Sequence, residues 1–390
     1  MGVFLLAIFL NSCSEGLSDY QKKSFIKFYG SYQTDIGKDV VPLSGGGYAL
    51  TGCMIPDSIP QMFLIITDEF GNQTENSPNY YGGELASSGN SILEIDDGGF
   101  LIAGEISDTL GMGIDVFIVK TDASGEVIWS ETYGGANKQT AAHIIKRNSG
   151  GYVIAGKSEV NNGVKLQEDL WIIMIDSDGN KISEFTGNNQ EEDDEACFIH
   201  NTGTSYLVAC TYNDGAFEGK DNMVLNLDEN CNLFDAIAMG TDFDDFAKSI
   251  VVYNGAYLLM GNSDNTVRGY DEIGLYTFSL EGNLIKNATK IATIFESKID
   301  FTGEACVISS NGNIAVVGDR YEVNNDIRSM LLQFVDGSTI GEQVLFGQEG
   351  VQSGYGIKKT LDGGLVLVGS NGLGGNSVVS LVKTDAKGAF

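Results

Sequence analysis

The chain has 390 residues, 53 of them acidic and 23 basic, for a formal net charge of -30. A field of that sign repels polyanions, which argues against nucleic acid and against direct adhesion to anionic lipid as modes of action. Fifty-one glycines against four prolines, with no helical periodicity, describe a turn-rich β protein.

In chain order the first element is Val3 to Leu10, an apolar run of eight that is too short to span a bilayer and is followed by Asn11-Ser12-Cys13. A short apolar run ending in Leu-x-x-Cys resembles a bacterial lipoprotein signal, and that resemblance implies acylation of Cys13. A secretory signal with an incidental cysteine is the other reading. No Lys or Arg precedes the run, so the natural start is expected upstream. The expected division is a signal over 1–12, a lipidated cysteine and linker over 13–23, and a folded domain over 24–390.

An internal repeat follows. Gly37, Gly89, Ala141, Ala196, Ala247, Gly303 and Gly354 each stand three positions ahead of an aliphatic residue or Cys, at spacings of 52, 52, 55, 51, 56 and 51. A period of that size marks a solenoid, a propeller or an array. Each repeat carries four strand signals. In the third they are Thr140 to Ile145, Tyr152 to Gly156, Leu170 to Ile175 and Lys181 to Phe185, with turns at Asn148-Ser-Gly-Gly151 and Asp176-Ser-Asp-Gly179. The third strands are apolar on both faces and must be covered on both by neighbouring sheets.

The reading is all-β: a seven-bladed β-propeller with four antiparallel strands per blade. The seventh repeat ends after its third strand, whereas Ser24 to Gly30 resembles the fourth-strand endings Asn79-Tyr-Tyr-Gly-Gly83 and Glu131-Thr-Tyr-Gly-Gly135. The N-terminal strand is therefore expected to complete the last blade and close the ring without an exposed edge. The small residue in each first strand is expected to face the axis, where seven larger side chains would collide.

The repeat text, as in Asp97-Gly-Gly-Phe-Leu-Ile-Ala-Gly104 and Asp115-Val-Phe-Ile-Val-Lys-Thr-Asp122, resembles the propeller repeats of Bacteroidota surface lipoproteins and secreted proteins. The pattern covers residues from about 25 onward. It is weaker in repeats 4 to 6, where Leu227-Asp-Glu-Asn-Cys-Asn232 and Phe334-Val-Asp-Gly-Ser338 depart from the turn. The resemblance implies a fold and a location, the cell envelope with the outer membrane as its lipid-bearing surface, and no activity.

Residues that carry chemistry are sparse. His143 and His200 fall on packed first strands, and the four arginines, Arg147, Arg268, Arg320 and Arg328, are scattered. Trp129 and Trp171 read as core, leaving Tyr212, Phe217, Tyr270 and Tyr321 as loop aromatics that could stack on sugar rings. Once Cys13 is set aside, five cysteines remain without a Cys-x-x-Cys pair; Cys197 and Cys210 are placed either for a cross-strand disulfide or as buried thiols.

Acids cluster on one rim. Glu191, Glu192, Asp193 and Asp194 lead into the fourth repeat and Asp242, Asp244 and Asp245 into the fifth, with Asp221 beside them. Such a patch would hold Ca2+, a hard cation that takes several oxygen ligands, or a basic partner, or simply be a solvated surface; no cofactor is otherwise indicated. The expected function is that of a lipid-anchored envelope propeller acting as a binding or scaffolding module, with a glycan, a peptide or a Ca2+-dependent partner as the ligand classes. A glycan-active enzyme with paired carboxylates at the channel mouth is the alternative. Inter-blade connections and second-to-third loops, which vary most between repeats, mark the expected binding face.

Overall fold

The computed structural model describes residues 24–390 apart from 31–32, 109–112, 136, 162–165, 188–192, 213–218, 348–349 and 374. Cys13 and the segments 1–12 and 13–23 lie outside the described residues, as do Glu191, Glu192 and Phe217. Every regular element among the described residues is a β-strand, twenty-eight in all.

The strands form four-stranded antiparallel sheets in sequence order, the architecture of a β-propeller. Sheet 3 serves as the pattern: Gln139–Lys146, Tyr152–Asn161, Leu166–Ile175 and Lys181–Thr186, each hydrogen-bonded to the next. The first strands of the successive sheets are Ile36–Pro42, Ser87–Glu94, Gln139–Lys146, Glu195–Asn201, Asp245–Tyr253, Ile299–Ile308 and Val351–Lys359. Sheets 6 and 7 share one parallel residue pair, Arg328 with Val351. The strand Phe25–Tyr29 pairs antiparallel with Asn376–Thr384 in sheet 7, with Phe25 opposite Lys383 and Tyr29 opposite Val379.

The sheets are held face to face by seven apolar clusters, each drawn from two successive sheets. Met62, Leu64, Ile102 and Val119 belong to the one between sheets 1 and 2. Another sets Val366, Val368, Val379 and Leu381 of sheet 7 against Val40, Leu50 and Phe63 of sheet 1. The third strands are buried along nearly their whole length, Gln61–Thr67 and Asp221–Leu227 without interruption. Their double-sided apolar text has this cause.

The small residues do not face the axis. A Cβ on Gly37 would lie 2.5 Å from Val368 Cγ2 and 2.8 Å from Val379 Cγ1, and one on Gly303 would lie 3.0 Å from Met260 Sδ, in each case side chains of the preceding sheet. Ala141, Ala196 and Ala247 are each 1% exposed. Smallness is demanded by the approach of the neighbouring sheet, which corrects the expectation of a crowded axis.

The turns between third and fourth strands repeat one device. Asp122 Oδ1 accepts from the Ser124 and Glu126 N–H groups at 2.8 and 3.0 Å, and Asp176 accepts from Asp178 and Asn180 at 2.9 and 2.8 Å. Asp228 does the same with Asn230 and Asn232, so the text at 227–232, which looked irregular, builds the same turn. Cys231 there takes φ 66°, a conformation that glycine supplies at Gly125 and Gly179.

Candidate binding site at the innermost strands

All seven first strands break register at one place. The partners skip from Gly37 to Asp39, Gly89 to Ser91, Ala141 to His143, Ala196 to Phe198, Ala247 to Ser249, Gly303 to Ala305 and Gly354 to Gly356. One residue per sheet is thus left out of the ladder: Lys38, Asn90, Ala142, Cys197, Lys248, Glu304 and Tyr355. A β-bulge frees its extra residue from pairing and re-aims its side chain. Each of the seven is half-buried, between the fully covered residues of its strand and open solvent.

These side chains meet across the sheets. Lys248 Nζ lies 3.0 Å from Glu304 Oε2. Lys38 Nζ lies 4.1 Å above the centre of the Tyr355 ring, a cation–π contact. Asn90 donates to the Ala141 carbonyl at 2.8 Å, and the Cys197 thiol to the Ala247 carbonyl at 2.7 Å. Burial pulls Lys38 below the usual lysine range, and the charge of Lys248 adds to the effect while Glu304 opposes it. Lys38, Lys248, Glu304 and Tyr355, from sheets 1, 5, 6 and 7, therefore share one electrostatic environment.

Beside Tyr355 a cavity of about 330 Å³ opens on the face that carries the inter-sheet connections. Arg328, Ser353, Ser370, Asn376 and Ser377 contribute to its wall. Behind them Asp319 Oδ2 accepts from Ser353 Oγ at 3.0 Å and Asp319 Oδ1 from the Gly354 N–H at 3.1 Å, and Arg328 approaches at 3.6 Å. Burial pushes the Asp319 carboxyl up to about 6, with Glu304 adding to the rise; the Gly354 N–H, Ser353 and Arg328 hold it back. A group titrating there, next to a cleft, can bind or exchange a proton near neutrality.

The described acids among those singled out from sequence fall near two successive sheet junctions, and three of them, Asp193, Asp244 and Asp245, accept backbone N–H groups. Asp194, Asp221 and Asp245 are buried, at 1%, 0% and 1% exposure, so they do not belong to a surface patch. Asp245 Oδ2 accepts from Thr241 N–H and Oγ1 at 2.6 and 3.0 Å, and burial raises its pKa. Asp193 and Asp244 are exposed, yet each accepts a backbone N–H, from Glu168 at 3.0 Å and from Lys220 at 2.9 Å. Asp242 is exposed. Among the described residues no three His, Cys, Asp or Glu side chains converge in a metal-binding group.

The position two before the small residue, polar in six of the seven repeats and Phe301 in the other, accounts for the burial of Asp194 and Asp245. Asp35, Ser87, Gln139, Asp194, Asp245 and Gln352 occupy it, all buried. Ser87 Oγ donates to the Tyr81 carbonyl at 2.5 Å and accepts from the Met62 N–H at 2.9 Å. Gln139 Oε1 accepts from Gly135 at 3.0 Å. These side chains cap the end of the preceding fourth strand, where Gly30, Gly82, Gly134, Gly240 and Gly347 leave room that a Cβ would fill.

The remaining candidates are structural. His143 stacks on Phe198 with ring centres 4.0 Å apart, and burial, with Lys358 adding, lowers its pKa to about 3. His200 meets Tyr257 edge-on at 5.7 Å. Cys197 and Cys210 are free thiols. Trp171 is core and Trp129 packs partly buried against the same cluster. Tyr212, Tyr270 and Tyr321 sit in strands, not loops, and Tyr321 lies under the Arg328 guanidinium at 5.4 Å. The other arginines are engaged, Arg147 with the Glu229 carbonyl, Arg268 with Glu272 and Arg320 with Glu322.

No known protein family matches this sequence, and no curated protein matches it. Solved structures resemble it in shape. The S511A mutant of a puromycin hydrolase complexed with PGG aligns with a TM-score of 0.55 and 12% identity, over 92% of this chain and 53% of that one. A puromycin-hydrolyzing peptidase of Mycobacterium tuberculosis gives 0.52 and 12%, over 92% and 51%. The α-L-arabinanase of Penicillium chrysogenum, complexed with arabinobiose, gives 0.50 and 13%, over 94% and 99%. This chain spans about half the length of the two peptidases. At such identities the likeness is one of fold.

Proposed function

We propose that the chain is a seven-bladed propeller, closed by the strand Phe25–Tyr29 in the last blade, and that it serves as a binding module anchored to the bacterial envelope by a lipid on Cys13. Seven inter-sheet cores, one of them between the last sheet and the first, support the closed ring. A ligand would enter at the channel mouth, on the face of the inter-sheet connections.

The observation that carries the binding role is the chemical variety of the bulge residues. The position before each of them is Gly or Ala and the second position after it is aliphatic or Cys, while the position directly after varies from Asp39 to Phe198 and lies back in the ladder. Packing therefore dictates its residues strand by strand, whereas Lys38, Asn90, Ala142, Cys197, Lys248, Glu304 and Tyr355 follow no such rule. Side chains released from folding constraints and gathered at one mouth are the raw material of recognition. The test is a glycan and peptide array probed with the mature chain and with a Lys38→Ala, Lys248→Ala double variant. Loss of the captured ligand with an unchanged melting temperature supports the reading, and unchanged capture sinks it. Anchoring is tested by Cys13→Ala, which should leave the membrane fraction as a folded protein.

Asp319 supports a second reading, a glycan-active enzyme. A carboxyl raised to about 6 and sensing Glu304 is the kind of acid that glycoside hydrolysis uses. Release of reducing ends from a polysaccharide panel, abolished by Asp319→Asn, would favour it over simple binding.

A further inference from the structure

The cavity beside Tyr355 has a composition that selects among ligands. Its volume of about 330 Å³ falls at the small end of ligand sites, about 300–1,000 Å³, which suits a single sugar-sized unit. Among the described residues of its wall, Arg328 is the only charged side chain. Its contact with Asp319 is a single one at 3.6 Å, too long for a bidentate pair, so donors of the guanidinium fork are left for an incoming acid. The Arg328 side chain remains 44% exposed, and its plane rests on Tyr321. Asp319 is itself fixed by Ser353 and Gly354, so it orients the guanidinium without saturating it.

The rest of the wall is hydroxyl, amide and glycine backbone, one aromatic ring and the aliphatic side chains of Ile36 and Val351. Asn376 is exposed, and Ser370 lies beside the Tyr355 hydroxyl. Lys38 lies against the Tyr355 ring from outside the cavity and brings a second positive charge near it. Among the described residues Lys38 has no ion pair and Arg328 only the 3.6 Å contact with Asp319, in contrast to Lys248, which Glu304 neutralises at 3.0 Å. The molecule as a whole carries a charge of -30, which repels a polyanion at long range while leaving a single acidic group free to reach a local cation.

We infer that this cavity binds one carboxylated sugar unit, of the uronate class, with its carboxylate on Arg328, its hydroxyls on Ser370 and Asn376, and a face of its ring against Tyr355. The assignment rests on the binding-module reading above and names the ligand of that same mouth. A neutral sugar would leave Arg328 without an acceptor, and a bare carboxylate would leave the polar wall and the Tyr355 ring unused.

The experiment is calorimetric titration of the mature chain with methyl glucuronoside, methyl glucoside, acetate and a tripeptide with a free C-terminus. The glucuronoside is expected to bind at least tenfold more tightly than each of the others. Arg328→Gln should remove that preference, and Arg328→Lys, which keeps the charge but not the fork, should restore only part of it. Arg147→Gln, remote from the cavity, should leave it intact. Equal affinity for glucuronoside and glucoside, a preference for the tripeptide, or an unchanged preference in a folded Arg328→Gln protein overturns the assignment. If an array ligand is lost in the Lys38, Lys248 double variant while Arg328→Gln changes nothing, the module stands and the uronate assignment falls. If the double variant also changes nothing, both fall.

Discussion

The Tyr29 hydroxyl donates to the Gly71 carbonyl at 2.7 Å, joining the first described strand to a turn 42 residues later. Tyr81 reaches Gly125 at 2.8 Å in the same way, and Tyr133 reaches Gly179. A fourth-strand tyrosine thus latches each of these turns to the sheet before it, and Tyr29 does so although its strand comes from the other end of the chain.

Tyr29→Phe should cost about 1 kcal/mol, the usual net worth of one hydrogen bond. Deleting residues 24–30 should cost several times more, because it uncovers the edge of the seventh sheet and removes Tyr29 and Phe25 from the core they share with Tyr48. Urea unfolding of the two variants beside a deletion of 14–20 reads the difference. Equal midpoints for the two deletions would contradict closure by this strand.

Gly37→Val should destabilise by roughly 1–3 kcal/mol through overpacking, since Val368 and Val379 already fill the space a side chain would take. Lys38→Ala, one residue on, should change stability by less than about 1 kcal/mol, as expected for a half-buried side chain with no ion pair. Thermal melts of the pair separate an inter-sheet constraint from an axial one. The reverse order would return the small residues to the axis.

Asp319 has a definite pH signature. Its folded pKa of about 6 exceeds the unfolded 3.8, so the native carboxyl holds its proton more tightly. Stability from this group is present in full below about pH 4 and is lost as pH rises through 6, a swing of roughly 3 kcal/mol for about two pKa units. Asp122, held below the ordinary range by the Ser124 hydroxyl and the Glu126 N–H, works in the opposite sense and loses its contribution on acidification. The stability difference between wild type and Asp319→Asn, measured from pH 4 to 7.5, should therefore shift in favour of the variant as pH rises. A flat difference would refute the shift.

Lys383 is fully covered, at 2% exposure, and its Nζ lies 3.1 Å from Asp362 and 2.9 Å from the Thr384 carbonyl. Removing the partner strands a buried ammonium, so Asp362→Asn should cost about 3–5 kcal/mol. The double variant Asp362→Asn, Lys383→Met should recover much of that loss in the same denaturation assay. No recovery would show that the carboxylate acts through Thr360 and Gly364 instead.

The strands were legible because their causes are local in the sequence. Third strands such as Phe63 to Ile66 are apolar on both faces, and Asp122 announces its turn through the glycine three residues on. The bulges were not legible, since strand alternation carries no mark where a register slips and Lys38, Asn90 and Tyr355 share no property. Setting the seven repeats in columns exposes two variable positions, the bulge residue and the one after it, between two uniform ones. Burial of Asp245 was hidden for a related reason: a carboxylate capping the end of a strand reads in the text as surface charge. Tyr212 and Tyr270 looked like loop residues because the second and third strands run further than their apolar cores.

A residue that sits outside the hydrogen-bond ladder can be exchanged without re-registering the strand that carries it. Seven such positions lie outside the ladders, and although Lys248 with Glu304 and Lys38 with Tyr355 would vary together, changes in what the molecule recognises need not be accompanied by changes in how it folds. Twenty residue types at seven sites allow on the order of 10⁹ mouths on one frame, and the tolerance of each site to substitution sets how far a lineage, or a library, can travel through them.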